Sequence, residues 1–163
     1  MTASLGRHSY IYAGTAAALV ALAAGCGRSR SPVEGKGAAE LERMLRGNDP
    51  AAQAAGAYGL SRLGAEAAPA VPALTEALAS PDALVRQNAA LALGAVGPEA
   101  NPAVPGLTKA LADPEWAVRR QAALSLGQIG PGAKSALPAL RKLSGDPNSQ
   151  VRKAAKEATA KIQ

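Results

Sequence analysis

One step of 33 residues recurs through most of this chain, and it limits the possible folds more than any other feature. Leu41, Leu74, Leu107 and Leu140 are 33 apart, as are Pro72, Pro105 and Pro138, and Gly64, Gly97 and Gly130. The dipeptide Val-Arg returns at Val85-Arg86, Val118-Arg119 and Val151-Arg152. A period shared by so many positions marks one supersecondary unit that stacks on copies of itself. Each unit reads as a short helix beginning near a proline, then a longer one such as 82–96 or 115–129. Ser80-Pro81, Asp113-Pro114 and Asp146-Pro147 predict a Ser or Asp N-cap with Pro at the first helical position. Gly97 and Gly130 predict a left-handed stop.

Helical spacing assigns the core. Val85, Ala89, Ala92 and Val96 fall on one narrow arc with Leu93 beside it, and Val118, Ala122, Ser125 and Ile129 repeat the arc. Four pairs are expected, roughly 39–64, 69–97, 102–130 and 135–163. The fourth second helix, SQVRKAAKEATAKIQ, carries Lys153, Lys156, Glu157 and Lys161 and has the polar outer face of a terminal cap. Composition agrees: 48% of residues are hydrophobic, 2% are aromatic and there is no Phe, so the core is built from Ala, Leu, Val and Ile. Alanine has the highest helix propensity, and small side chains let helices approach closely. The expectation is an all-α, right-handed solenoid.

The N-terminus carries a different signal. Residues 1–9 are polar and hold Arg7 and His8, and residues 10–24 (YIYAGTAAALVALAA) are apolar and uncharged. The apolar run suits a secretory signal and falls short of the roughly 20 residues of a spanning helix. Leu22-Ala23-Ala24-Gly25-Cys26 resembles a bacterial lipobox, departing where Ala23 replaces the commoner Leu. That resemblance implies a signal peptide over 1–25 and lipidation at Cys26. It further implies a mature protein held by acyl chains at the cell or outer membrane. Residues 26–38 then form a flexible, Gly- and Ser-rich tether, and 39–163 the repeat domain.

Past the tether, Asp113-Pro114, Val118-Arg119, Ala122-Ala123, Leu126-Gly127 and Ile129-Gly130 resemble the short HEAT repeats of bacterial HEAT-like proteins. The unit at 81–97 matches too. The first unit departs, with Ala52-Gln53 in place of Val-Arg. Ankyrin and tetratricopeptide landmarks are missing. The resemblance implies that Arg86, Arg119 and Arg152 bond acidic or carbonyl groups of neighbouring units, with Asp82, Asp113 and Asp146 as partners. A ligand-binding row of arginines is the alternative. It also implies binding on the face of the second helices. There Tyr58, Leu91 and Leu124 form a candidate row, unless they pack against the adjacent first helix. Trp116, in a first helical turn, is a further candidate, or it covers a neighbouring loop.

Chemistry is sparse. The single His and single Cys lie within the first 26 residues, so the mature chain lacks the groups for His-based catalysis and typical zinc sites. Di-iron hydroxylases built on similar repeats need His-Glu pairs that are absent here. Glu66, Glu76, Asp82, Glu99, Asp113 and Glu115 sit at loops and caps in repeat register, where acids favour helix N-termini. No metal, cofactor or catalytic residue is expected. A bilin-lyase-like enzyme subunit is kept as an alternative on repeat resemblance alone.

Charge is uneven. The chain is +6 overall, but residues 39–80 carry −2, residues 81–113 carry −1 and residues 114–163 carry +6. Arg120, Lys153, Lys156, Arg141 and Lys142 therefore offer a basic end, read as a solvated cap or as a contact for anionic membrane or an envelope polymer. Export and the lack of interleaved aromatics argue against nucleic acid. The favoured reading is a non-catalytic, membrane-tethered scaffold that grips a protein segment, a peptide or single helix.

Overall fold

The computed structural model describes residues 33–163. The signal, Cys26 and most of the tether lie outside them. The described chain holds four stacked helix pairs: α1 (Ala38–Leu45) with α2 (Pro50–Leu63), α3 (Val71–Ala77) with α4 (Ala83–Val96), α5 (Val104–Ala110) with α6 (Trp116–Ile129), and α7 (Leu137–Lys142) with α8 (Ser149–Ile162). Each second helix has 14 residues and packs on the next second helix in line.

The core lies between the two layers. Leu41, Leu74, Leu107 and Leu140 enter it from the first helices, and Leu60, Leu93 and Leu126 from the second, all buried. Both predicted arcs are buried along their full length, Ser125 included. In α8 the register position of Leu126 is taken by Thr159, which turns its hydroxyl onto the Ala155 carbonyl at 2.8 Å. The last pair thus loses one large apolar contact, as suits its polar face.

Two local readings need correction. The second helices begin later than Ser/Asp-Pro implies. Asp82 caps α4, accepting from the N–H groups of Leu84 and Val85 at 2.8 and 3.0 Å. Asn148 caps α8 through the Gln150 N–H, and Glu115 precedes α6 without a side-chain cap. Only Asp49-Pro50 has the expected arrangement, with Asp49 accepting from Ala51 and Ala52. Asp113 and Asp146 are drawn away by an arginine, as described below.

The second correction concerns the glycines. Gly97 (φ 76°, ψ −139°) and Gly130 (φ 75°, ψ −139°) have positive φ but lie outside the left-handed helical well. That region is open essentially to glycine alone. They redirect the chain into seven-residue connectors of 3₁₀ turns, Gly97–Ala103 and Gly130–Ala136, the latter kinked at Ala133, matched by Gly64–Ala70 in the first unit. These segments press Ala67 and Ala70, Ala100 and Ala103, and Ala133 and Ala136 fully into the core. The connectors are therefore part of the packing.

Candidate binding face

The arginines make a ladder between units. Arg86 donates through Nε and Nη2 to both oxygens of Asp113, at 2.8 and 2.9 Å. Arg119 does the same to Asp146, at 2.7 and 3.1 Å. Each reaches 27 residues forward, into the next pair. The third donor, Nη1, turns back: Arg86 to the carbonyls of Ser80 and Pro81, Arg119 to those of Asp113 and Pro114. Each guanidinium therefore ties the start of its own helix to the turn before the next second helix. Planar two-point bonding of this kind is specific to arginine.

The bonds shift the acids. Burial pushes the Asp113 carboxyl up, but the Arg86 hydrogen bond, the Glu115 N–H and the charges of Arg86 and Arg119 together hold it below the ordinary range. The Arg119 hydrogen bond, against a smaller effect of burial, does the same for Asp146. The paired arginines are raised, first by these same hydrogen bonds.

Asp82 is not a rung. It is spent on the α4 cap, and the rung register in that unit is held by Ser80. Gln53 stands opposite, where other units have arginine. Its Nε2 keeps the backward bond, to the Gly47 carbonyl at 2.6 Å, and has no acid ahead of it. Between the first and second pairs the ion pair is instead the exposed Arg46–Glu76 contact at 3.3 Å. Arg152 has no acidic partner among the described residues, and its two arginine counterparts are occupied by structure, which leaves no ligand-binding row.

On the second-helix face, Tyr58 is 44% exposed and Trp116 42% exposed. Leu91 and Leu124 are half-buried, and Leu124 packs against the core. The row across the face is thus apolar but uneven, highest at Tyr58. Leu84, one helical ridge position from the row, is the most exposed large apolar side chain described, at 56%. Asn88 and Gln121, which share that ridge, are consumed within the stack. Asn88 donates to the Ala54 carbonyl at 3.0 Å, and Gln121 meets Ser125, whose hydroxyl donates to the Ala90 carbonyl at 2.6 Å.

Three of the six candidate contact residues come together. Arg120, Leu124 and Lys153 line one cleft of about 330 Å³ between α6 and α8, with Gln150, Ala154 and Glu157. Tyr58, Leu91 and Trp116 lie outside it. No group of three or more His, Cys, Asp or Glu side chains is placed to hold a metal among the described residues. No described helix is long and apolar enough to cross a membrane.

Comparison with known proteins agrees with this architecture. No curated protein matches the chain. Among solved structures, an engineered protein is 28% identical with a TM-score of 0.67, over 77% of this chain and 62% of its own. A designed armadillo repeat protein, solved with the peptide (KR)4, is 19% identical with a TM-score of 0.67, over 76% of this chain and 63% of its own. The chain thus spans just under two thirds of these neighbours, and the second, at its low identity, speaks for the fold alone. A family model for HEAT repeats matches residues 38–104 and 104–163, which is nearly all of the described chain. The chain belongs to the HEAT repeat family.

Proposed function

We propose that the chain is a non-catalytic HEAT-repeat scaffold whose second-helix face grips an acidic, partly apolar protein segment. The observation that carries this is the charge of that layer. Helices α2, α4, α6 and α8 contain one acid, Glu157, against Arg62, Arg86, Arg119, Arg120, Arg152, Lys153, Lys156 and Lys161. Two of these bases are neutralised within the ladder. Of the rest, Arg62 is exposed on α2, Arg120 and Lys153 line the cleft between α6 and α8, and Arg152 and Lys156 lie toward α7, so the layer offers apolar anchors at Tyr58, Leu84 and Trp116 with a basic rim. Three interhelix steps of about 9 Å span some 27 Å, the reach of about eight extended residues. The designed armadillo neighbour was solved with a basic peptide; the charge of this face calls for the opposite sign.

Fluorescence anisotropy with a labelled 15-residue Glu/Leu peptide and its Lys/Leu counterpart tests this reading. The acidic peptide is expected to bind more tightly, and Arg120→Glu with Lys153→Glu to weaken it about tenfold, with loss of affinity in high salt. Equal affinity for the two peptides would remove the proposal.

We propose further that Cys26 is lipidated and holds this scaffold at the cell envelope. The lipobox-like sequence supports this. The mass of the protein purified from its host's membranes is expected to correspond to a chain starting at Cys26 with added acyl groups, absent in Cys26→Ala. An intact Met1 on an unmodified chain would exclude the anchor.

A further inference from the structure

We infer that the second-helix face is polarised: an extended partner segment crosses it in one order, with its apolar part on α2 and α4 and its acidic part between α6 and α8. This rests on the reading of the face given above and adds where each part of the segment goes. The 33-residue step sets matching positions of the second helices side by side, so the face falls into rows. Tyr58, Leu91, Leu124 and Glu157 make one row. Ala54, Gln87, Arg120 and Lys153, one turn earlier in each helix, make the row beside it. Across the first two pairs both rows are uncharged. Across the last two, the second row becomes two bases. The chemistry of the face therefore changes once, midway along the stack.

The charged half is open to a ligand. Arg120 and Lys153 bracket the cleft of about 330 Å³ between α6 and α8, with Leu124 and the Gln150 amide on its lining. Arg120 has no acidic partner among the described residues, although a following helix packs beside it. Lys153 meets Glu157 at 3.9 Å, with both side chains largely exposed. A contact that long and that wet is readily exchanged for another carboxylate. One acidic side chain entering the cleft meets bases from two helices, and the field of the pair draws it there.

The other half suits apolar side chains. Tyr58 and Leu84 are its exposed large apolar residues. Helices α2 and α4 contain no acid, and of their two bases Arg86 is spent in the ladder and Arg62 lies one turn beyond Tyr58. Trp116 lies one turn before Arg120, so it borders the charged half without interrupting either row. Reversing the segment is unfavourable at both ends. A carboxylate against Tyr58 and Leu91 loses water without gaining a partner, and a leucine between Arg120 and Lys153 desolvates two bases. The two halves are centred two interhelix steps apart, about 18 Å, which about five extended residues span.

The test titrates the full chain with two peptides of identical composition. In one the leucines are grouped at one end and the glutamates at the other; in the second they alternate. The grouped peptide is expected to bind about tenfold more tightly. A nitroxide on its glutamate end should broaden the amide signals of Arg120 and Lys153 and spare that of Tyr58, and a nitroxide on its leucine end should do the reverse. Glu157→Gln, an exposed change that frees Lys153, should tighten binding of the grouped peptide about threefold. Equal affinity for the two peptides, or equal broadening of α2 and α8 by either label, would overturn the polarity and leave the acidic-segment reading standing. Failure of both peptides to bind would remove the two together. No gain from Glu157→Gln would overturn the part assigned to Lys153.

Discussion

Replacing Asp113 with alanine is expected to lower the stability of the stack by about 3 kcal/mol in urea unfolding followed by helical circular dichroism. The size follows from what is left behind. The Arg86 side chain is 12% exposed and that of Asp113 8% exposed, so water does not readily replace the lost carboxylate. The Glu115 N–H also loses its acceptor, at 2.9 Å. Two comparisons isolate the cause. Gln53→Ala removes only the backward carbonyl bond to Gly47, within the pair that has no rung ahead of it, and should cost about 1 kcal/mol. Replacing both partners, Arg86→Met with Asp113→Leu, leaves no buried charge and should recover most of the loss. A cost for Asp113→Ala no larger than that for Gln53→Ala would show that the rungs do not hold the units together.

The same rungs set an acid limit. The carboxyls of Asp113 and Asp146 titrate below their ordinary value of 3.8 in the folded chain. A group with a depressed folded value stabilises the fold fully above its unfolded value, and that contribution disappears as pH falls through the folded one. The stabilisation from both rungs is therefore constant at neutral pH and declines below about pH 4. The arginine values are raised by the same bonds, so that side of each rung is insensitive to pH up to strongly alkaline conditions. Asp113→Ala should flatten part of the acid decline.

Gly127→Val is expected to destabilise by a similar amount, about 3 kcal/mol, through a different cause. In an open helix, replacing this glycine with alanine would gain about 1 kcal/mol from backbone propensity. Here a Cβ would sit 2.9 Å from the Ala158 Cα and 3.2 Å from its Cβ. The obstacle is backbone, so no rotamer change relieves it, and α6 and α8 must separate. Valine adds two methyl groups to that clash. Because each unit touches only its neighbours, the damage should concentrate in the fourth pair. Amide hydrogen exchange is expected to accelerate across α8 while α2 and α4 remain protected. Ala160 holds the same register in α8 and is exposed, so Ala160→Val should change stability by less than about 0.5 kcal/mol. Equal effects at the two positions would mean that close approach of α6 and α8 is not what requires glycine.

Much of this molecule is legible in the order of its residues. The 33-residue step places the four pairs, and the apolar arcs of α4 and α6 are buried as their spacing requires. The second helices expected at 82–96 and 115–129 run from Ala83 to Val96 and from Trp116 to Ile129. These features are legible because they depend on spacing within one helix and repetition along one chain. The 3₁₀ connectors were not legible: their buried alanines sit beside glycine and proline, and alanine carries no signal that separates a packed turn from an exposed one.

What only the tertiary structure decided is which group answers which. A Ser or Asp before proline resembles a helix cap in sequence, but an arginine 27 residues upstream captures Asp113 and Asp146, and the cap passes to a later residue. Asp82, three positions before Val85, is likewise a cap and not a rung. The ridge that carries Leu84 reads uniformly along the helices, yet Asn88 and Gln121 are consumed between helices while Leu84 stays exposed. The difference has one physical origin. Helical pattern and repeat period are set by local geometry that the chain carries with it, whereas a hydrogen bond or an ion pair belongs to whichever partner the packed units bring within about 3 Å.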